Sequence, residues 1–537
     1  MSDTGATQTN AGSLEGKVVE LTAEVARLVA EREQYRKLYL DMLEKCRKLE
    51  QGILGSKRER LTGEDASTTL SLLAMLLGQE QPAAAPAAEP TNVQAHTRQK
   101  PTGRRPLPEN LQRVDVEVLP PEVQRLGLDA FERIGEDVTE TLERRPGALV
   151  VVRVHRPKFV LKERRRNVET QVLQGSPPEL PIERGLAGPG LLSETIVRRW
   201  ADHLPLNRLE RIYERDGLML PRATVCDWHL ELAKLVRPLI GAMWEDALKA
   251  PYLCTDATGV LVQAAEKCRL GHFWVVVAPD LHVLFGYTPK HDGAAVDKLL
   301  GGYKGHLVAD AHVVFDHLFA AGATEVGCWS HHRRYWFKTL SSDPNRARHA
   351  LAYFRALFQI ERGLAHAPPD ERLRVRQEQS KPLVDALFAW CDEQAALVLE
   401  DTPAAQAIGY GRRQRQALRR FLDDGRLPMH NNISERQLRR EAVGRKNWLF
   451  LGSDHGGEAN SSFVTLLASC QLHGLEPWAY LRDLLCLLPA WPTHRVLELA
   501  PAYWSRTLAT ETVQRALAGN IFRQATIGPS DPHRTTP

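Results

Sequence analysis

Between residues 252 and 329 the apolar residues switch from strand to helix spacing and back, and that stretch constrains the fold most. Runs rich in β-branched and aromatic residues at 252–262, 272–278 and 282–287 are joined through Gly271 and Pro279-Asp280, which predicts three meandering strands. A helical pattern at 294–300, a strand at 306–310, a second helix at 315–320 and a fifth strand at 325–329 follow. The expectation is one α/β sheet, leading into a helix that carries Arg333 and Arg334.

Two carboxylates end runs in this block. Asp256 closes Tyr252-Leu253-Cys254-Thr255, and Asp310 closes His306-Leu307-Val308-Ala309. The strand order resembles an RNase-H-like core, in which the first and fourth strands adjoin, and this implies that the two aspartates are neighbours. A third acid, Glu435, sits in His430-Asn431-Asn432-Ile433-Ser434-Glu435-Arg436, just ahead of a basic amphipathic helix. Carboxylates on two strand ends and a late helix can converge, and hard divalent cations such as Mg2+ take such oxygen ligands. Ions held this way can activate a water or a 3'-hydroxyl and stabilise the leaving oxygen of a phosphodiester. The expected chemistry is metal-dependent cutting and joining of DNA strands. Glu441 and Glu458 are nearby competitors for the third position; Glu441, six residues on, falls close to the opposite helix face. Cys328 and His331 read either as half a zinc site or as a core thiol beside an orienting histidine, with His332 an exposed neighbour.

The 537 residues should hold roughly three to four domains. Residues 1–13 read as disordered. Over 14–60 a heptad from Leu14 to Ile53, broken only by Arg32, predicts a coiled coil for self-association or for docking on a partner helix. An amphipathic helix folded onto its own protein is the alternative. Residues 61–107 read as a flexible linker ending in the basic arm Arg98-Gln99-Lys100-Pro101-Thr102-Gly103-Arg104-Arg105-Pro106, either solvated or suited to an AT-rich minor groove. Residues 108–180 read as a small β-rich module whose basic run through Arg153, Arg156 and Lys158 continues to Arg164, Arg165 and Arg166. That face either lies along phosphates or is an ordinary solvated one.

Residues 181–245 are helical. Short helices at 191–201 and 206–215, a turn at Asp216-Gly217 and a longer helix capped by Thr224 outline a helix-turn-helix-like reader of DNA, with Arg222, Thr224 and Asp227 near the start of the reading helix. The core takes residues 246–340 and 426–465, interrupted by an all-helical insertion at 341–425. Arg436, Arg439, Arg440, Arg445 and Lys446 follow Glu435 and, with Arg333 and Arg334, supply the positive charge a polyanion needs. Trp448 reads as a stacking platform or as a core residue. Gly452 to Gly457 form a loop, residues 466–520 a C-terminal helical region, and 521–537 a loose tail.

Net charge is only +4, from 70 Lys+Arg against 66 Asp+Glu, so the basic residues matter through clustering. Eight cysteines without a CxxC pair suit a reducing cytosol. With neither a signal-peptide pattern nor an apolar run of about 20 residues, the chain is expected to be cytoplasmic with no membrane partner.

Several segments resemble one family. They are Leu253-Cys254-Thr255-Asp256-Ala257-Thr258, Leu307-Val308-Ala309-Asp310, Cys328-Trp329-Ser330-His331-His332-Arg333-Arg334, Asn431-Asn432-Ile433-Ser434-Glu435-Arg436 and Gly444-Arg445-Lys446-Asn447-Trp448-Leu449-Phe450-Leu451-Gly452-Ser453. In this order they are similar to the transposases of the bacterial insertion sequence 66 family (TnpC-type). Gly185-Leu186-Ala187-Gly188-Pro189-Gly190 and Ala201-Asp202-His203-Leu204-Pro205-Leu206 resemble its upstream domain. The resemblance implies a DDE transposase that binds the terminal inverted repeats of its element. It would cleave and transfer DNA strands with Mg2+ or Mn2+, two ions, beside two small accessory proteins of the same element. Asp256, Asp310 and Glu435 carry over as the metal-binding triad. His430 stands where many members have an acid, and Ala257 where many have Glu. Relatives often carry a CxxC…CxxC zinc module after the linker; residues 107–180 hold no cysteine, so no zinc is expected there. A transposase-derived DNA-binding regulator with a decayed core is the alternative, and a coiled-coil scaffold a third reading; the intact triad speaks against decay.

Overall fold

The computed structural model describes residues 22–29, 32, 107–109, 111–145, 148–161 and 172–527. The disordered start expected at 1–13, nearly all of the coiled coil at 14–60 and of the linker with its basic arm at 61–107, and Arg164 to Arg166 lie outside these residues. Contacts divide the chain into two units, one of Met1–Thr102, Lys338–Arg348 and Leu397–Gln406, the other of Gly103–Phe337, His349–Ala396 and Ala407–Pro537. In the first, residues 22–29 are helical and exposed, and Arg27 pairs with Glu24 at 2.7 Å, one helical turn away. The second unit holds two sheets.

The first sheet comprises β1 (Gln112–Glu117), β2 (Phe131–Arg145), β3 (Ala148–Leu161) and β4 (Leu173–Gln174). β3 is central, parallel to β1 and antiparallel to β2 and β4. Val150, Val152 and Val154 alternate onto one face of β3 and are buried against Phe522 and Ala525. Those two belong to a helix, Ile521–Ile527, which corrects the loose tail expected from residue 521. Ile521, Phe522 and Ala525 recur at helical spacing and close the core of this sheet. Along the sheet, Arg153, His155 and Lys158 meet Glu140, Asp115 and Asp137 at 3.3, 3.0 and 2.8 Å. Acids on neighbouring strands thus neutralise much of the basic run, which favours the solvated-face reading.

The end of β2 is stitched to the Gly185 to Gly190 motif. Glu143, wholly buried, accepts the backbone N–H groups of Arg144 at 2.7 Å and Leu191 at 2.6 Å, and burial pushes its carboxyl up to about 8. Alongside, the Gly188 N–H donates to the Leu142 carbonyl at 2.7 Å. A Cβ at Gly190 would stand 2.5 Å from Glu143 Oε1 and 2.8 Å from the Arg144 carbonyl, and one at Gly188 would overlap Oε2. Gly190→Ala is therefore expected to cost about 1–3 kcal/mol of stability by overpacking. Urea denaturation measures this, and a variant as stable as the parent would contradict the close approach.

Helix Pro189–Ile196 runs into a π turn, Val197–Ala201, and helices Leu206–Arg215 and Arg222–Ala247 follow. The last begins two residues before Thr224, so that residue lies within the first turn and is not its cap, a correction of the expected start. Pro221 holds the cap position, and the Glu210 carboxylate accepts the Arg222 N–H at 3.1 Å.

The second sheet comprises β5 (Tyr252–Val262), β6 (Arg269–Ala278), β7 (His282–Thr288), β8 (His306–Ala309) and β9 (Thr324–Gly327), in the order β7-β6-β5-β8-β9. The first three strands are antiparallel to one another, while β8 runs parallel to β5 and β9 parallel to β8. Helix Asp454–Leu472 covers the β7 edge: Thr465 Oγ1 accepts the Phe285 N–H at 2.8 Å and Ser469 Oγ that of Val283 at 3.1 Å. An edge closed in this way cannot recruit a foreign strand. This helix starts inside the loop expected at Gly452 to Gly457, because Ser453 Oγ caps the Gly456 N–H at 3.2 Å.

Trp329, expected to end the fifth strand, instead opens helix Trp329–Thr339. Its ring is wholly buried among Phe354, Phe388 and Phe421 of the helical insertion, and Nε1 donates to the Leu418 carbonyl at 2.7 Å. A helix beginning there sets Trp329, His332 and Trp336 on one face. His332 is accordingly 0% exposed rather than an exposed neighbour. Trp336 Nε1 donates to its Nε2 at 3.1 Å, and burial pushes its pKa down to about 3. Among the described residues no helix is long and apolar enough to cross a membrane.

Candidate functional site

β5 and β8 place Tyr252, Leu253 and Cys254 opposite His306, Leu307 and Val308. The ladder ends at Cys254 and Val308; Asp256 lies two residues farther along β5, and Asp310 directly follows β8. Glu435 arrives from helix Asn432–Trp448, inside the first turn rather than ahead of it. What brings this helix to the strands is Asn431, wholly buried. Its Nδ2 donates to the carbonyl of Thr255, the residue before Asp256, at 2.7 Å, and its N–H donates to Cys328 Sγ at 3.2 Å. Farther along the helix, Arg445 donates to Thr258 Oγ1 at 2.9 Å and to the Gly259 carbonyl, so it braces the helix against β5.

Asp310 and Glu435 both act electrostatically on Asp256. Burial pushes the Asp256 carboxyl up to about 7, and the charges of Asp310 and Glu435 push the same way. The Ala257 N–H, donating at 2.8 Å, and the Arg334 guanidinium pull against them. Glu435 accepts from Arg334 Nη2 at 3.3 Å and has His331 Nε2 at 3.7 Å. Burial, with Arg334 beside it, holds His331 below its usual pKa and so neutral at pH 7. On the Asp310 side stands an aromatic wall: His291 stacks on Trp274 at 4.7 Å, and His312 meets His291 edge-on at 4.7 Å.

The competing acids point elsewhere. Glu441 is buried and accepts from Asn460 Nδ2 at 3.0 Å, while Glu458 lies 3.5 Å from His455. Cys328 is wholly buried, and burial raises its thiol pKa; it is a core thiol receiving the Asn431 N–H, with His331 turned towards Glu435. Of the basic candidates, Arg222, Arg333, Arg334, Arg436, Arg439 and Lys446 are exposed, and Thr224 is half-buried. Arg440 is half-buried beside Gln437 and Gln471, and Arg445 faces inward as described. Trp448 packs against the cluster of Val260, Val262, Phe273, Tyr287 and Leu451, with the Arg199 guanidinium 5.5 Å from its ring centre.

A donor set of three carboxylates, with the nearby thiol held protonated, fits a hard divalent cation and not a soft one. Among the described residues no three His, Cys, Asp or Glu side chains already stand close enough together to hold an ion. The Asp256 pKa is raised mainly by burial, with the charges of Asp310 and Glu435 as smaller contributions. Sequence reasoning missed Asn431, the Arg334 and His331 contacts to Glu435, and the Trp274–His291–His312 wall. The Asn431-Asn432 doublet ahead of a helix was the available signal, but it suggests an ordinary cap, whereas Asn431 bonds across to a strand.

Comparison with known proteins identifies a family. The model of the Transposase IS66 family matches residues 184–459, that of the IS66 C-terminal element residues 465–502, and that described as Transposase C of IS166 homeodomain residues 42–116. Uncharacterized protein y4hP of Sinorhizobium fredii (strain NBRC 101917 / NGR234) is 30% identical over 502 residues, 88% of this chain and 90% of its own length. Uncharacterized protein y4qI of the same organism is 29% identical over 91% of this chain and 93% of its own length. Since the first match spans more than half of the chain and contains Asp256, Asp310 and Glu435, the protein belongs to the IS66 family of transposases.

Proposed function

We propose that the protein is a DDE-type transposase that binds the terminal inverted repeats of its insertion sequence, cuts there and transfers the strand. What supports this reading is that the charges of Asp310 and Glu435 both reach Asp256, while Asn431 ties the start of the Glu435 helix to the residue before Asp256. The order β7-β6-β5-β8-β9, three antiparallel strands followed by two parallel ones, supports an RNase-H-like core. In this reading Asp256, Asp310 and Glu435 would hold two Mg2+ or Mn2+ ions, which supply Lewis acidity for activating a water or a 3'-hydroxyl and for stabilising the leaving oxygen. Asp256 must give up its proton first. Arg334, now on Glu435, becomes free to hold a phosphate, and Arg333, Arg436, Arg439 and Lys446 hold the backbone around it. Arg440 and Arg445, turned inward, position the Glu435 helix. The helical pair Leu206–Arg215 and Arg222–Ala247, the second of which begins with Arg222 and Thr224 in its first turn, is the candidate reader of the repeats, the coiled coil the candidate self-association element, and accessory proteins of the same element the candidate further partners.

The test is cleavage of a labelled duplex carrying the inverted repeats that flank the coding DNA. Mg2+-dependent release of a 3'-hydroxyl at the element's end is expected; binding without cutting would favour the decayed regulator. The proton on Asp256 adds a second prediction. Its folded-state pKa of about 7 lies above the ordinary 3.8, so Mn2+ affinity should rise about tenfold per pH unit below 7 and level off above it. Titrations at pH 6, 7 and 8 measure this, and a flat profile would remove Asp256 from the metal site.

A further inference from the structure

A cavity of about 350 Å3 opens beside the N-terminus of the Glu435 helix, between the helical insertion and Pro428-Met429-His430. Phe358 and His430 form an aromatic surface in its wall, their rings 13° from parallel with centroids 5.7 Å apart. A base cannot enter between them, since two stacking contacts of about 3.5 Å need about 7 Å; it would stack on the outer face of the pair. Arg362, Arg372 and Arg376 line the same cavity. Arg376 is already matched, bidentate on Glu361 at 2.7 Å with both contacts. Arg372 is different. Its guanidinium donates to the carbonyls of Gly425 and Ala367, each at 3.2 Å, which fixes the group without cancelling its charge. Arg362 makes no ion pair among the described residues and is exposed. Glu361 is the one carboxylate among the lining residues, so two positive charges are left over. His430, uncharged because burial lowers its pKa, does not repel an anion as an acid would at that position. An aromatic platform beside two unneutralised guanidinium groups suits a nucleotide, the base by stacking and the phosphate by charge-assisted hydrogen bonds.

We propose that this cavity receives one unstacked nucleotide of the DNA strand being cut, its base on the Phe358–His430 surface and its phosphate at Arg362 and Arg372. The proposal rests on the reading of the neighbouring site as a strand-cutting one. His430 lies five residues ahead of Glu435 and senses its charge, so a nucleotide held there adjoins the phosphodiester that the carboxylates would address. The volume admits one nucleotide and not a base pair, which is why the base has to leave its stack.

The test uses the full chain in EDTA with the repeat-bearing duplex, 2-aminopurine replacing each of the last three bases of the cut strand in turn. At one position fluorescence should rise on binding, and Phe358→Leu and His430→Ala should each abolish the rise. Arg362→Gln and Arg372→Gln should weaken end binding about tenfold. No fluorescence change at any position, or a rise that survives both aromatic substitutions, overturns the proposal. So does 2-aminopurine nucleoside monophosphate binding as tightly as the duplex, because the site would then belong to a free nucleotide. The same duplex assayed with Mg2+ separates the two readings: cutting without a fluorescence rise removes the cavity alone, and a rise without cutting removes the nuclease reading alone.

Discussion

Asp256→Asn is expected to leave binding of the inverted repeats intact while lowering Mg2+-dependent cutting by at least about a hundredfold, the upper end of what loss of a group that merely supports a metal ligand costs. The substitution keeps the shape of the side chain and its place on β5 opposite Val275. It removes a carboxylate whose ionisation burial, and to a smaller degree the charges of Asp310 and Glu435, already oppose. A stability signature should accompany the loss. Because the folded-state pKa of about 7 exceeds the ordinary 3.8, folding favours the neutral acid. That contribution is complete below about pH 4 and is lost as pH rises through 7. At pH 8 without metal the Asn variant, which cannot ionise, should therefore melt at or above the temperature of the parent, and near pH 4 the two should agree. A variant that cuts normally, or one that fails to bind ends because it has unfolded, would contradict this.

Asn431→Ala is expected to have the second largest effect, although Asn431 would touch neither metal nor DNA. Its Nδ2 serves the Thr255 carbonyl where the β5–β8 ladder has just ended at Cys254 and Val308. Truncation leaves that buried carbonyl without its donor, at a cost of about 1–3 kcal/mol. It also releases the first turn of the Glu435 helix from β5. A drift of about 1 Å in a catalytic group can cost about a hundredfold in rate, so single-turnover cutting should fall by that order. Since the carboxylates themselves remain, raising Mn2+ should recover part of the rate in this variant and none in Asp256→Asn. Equal responses to Mn2+ would mean that Asn431 does not position Glu435.

The contrast between these residues explains what could be read from the sequence. β5 matches the expected strand from Tyr252 to Val262, and Asp310 follows β8 directly, because alternating and continuous apolar runs are local signals. Long-range contacts leave no such trace. Nothing near Gly188 and Gly190 announces that Glu143, on a strand in a different part of the chain, needs the space their missing side chains provide. Asn431 reads as a cap until Thr255 stands beside it. His332 turned inward because the helix begins at Trp329, so helical rather than strand periodicity decides which of two adjacent histidines faces the core. The Ile521–Ile527 stripe is too short to stand out without the valine face of β3 that it covers.

The most direct measurement of the central claim replaces Mg2+ with Fe2+ and, with ascorbate and peroxide, maps where the polypeptide is cut by radicals born at the bound ion. If Asp256, Asp310 and Glu435 share that ion, breaks should cluster near all three positions together and vanish with excess Mg2+. Breaks near Asp256 and Asp310 without any near Glu435, or breaks that Mg2+ does not suppress, would show that the three carboxylates do not form one metal site.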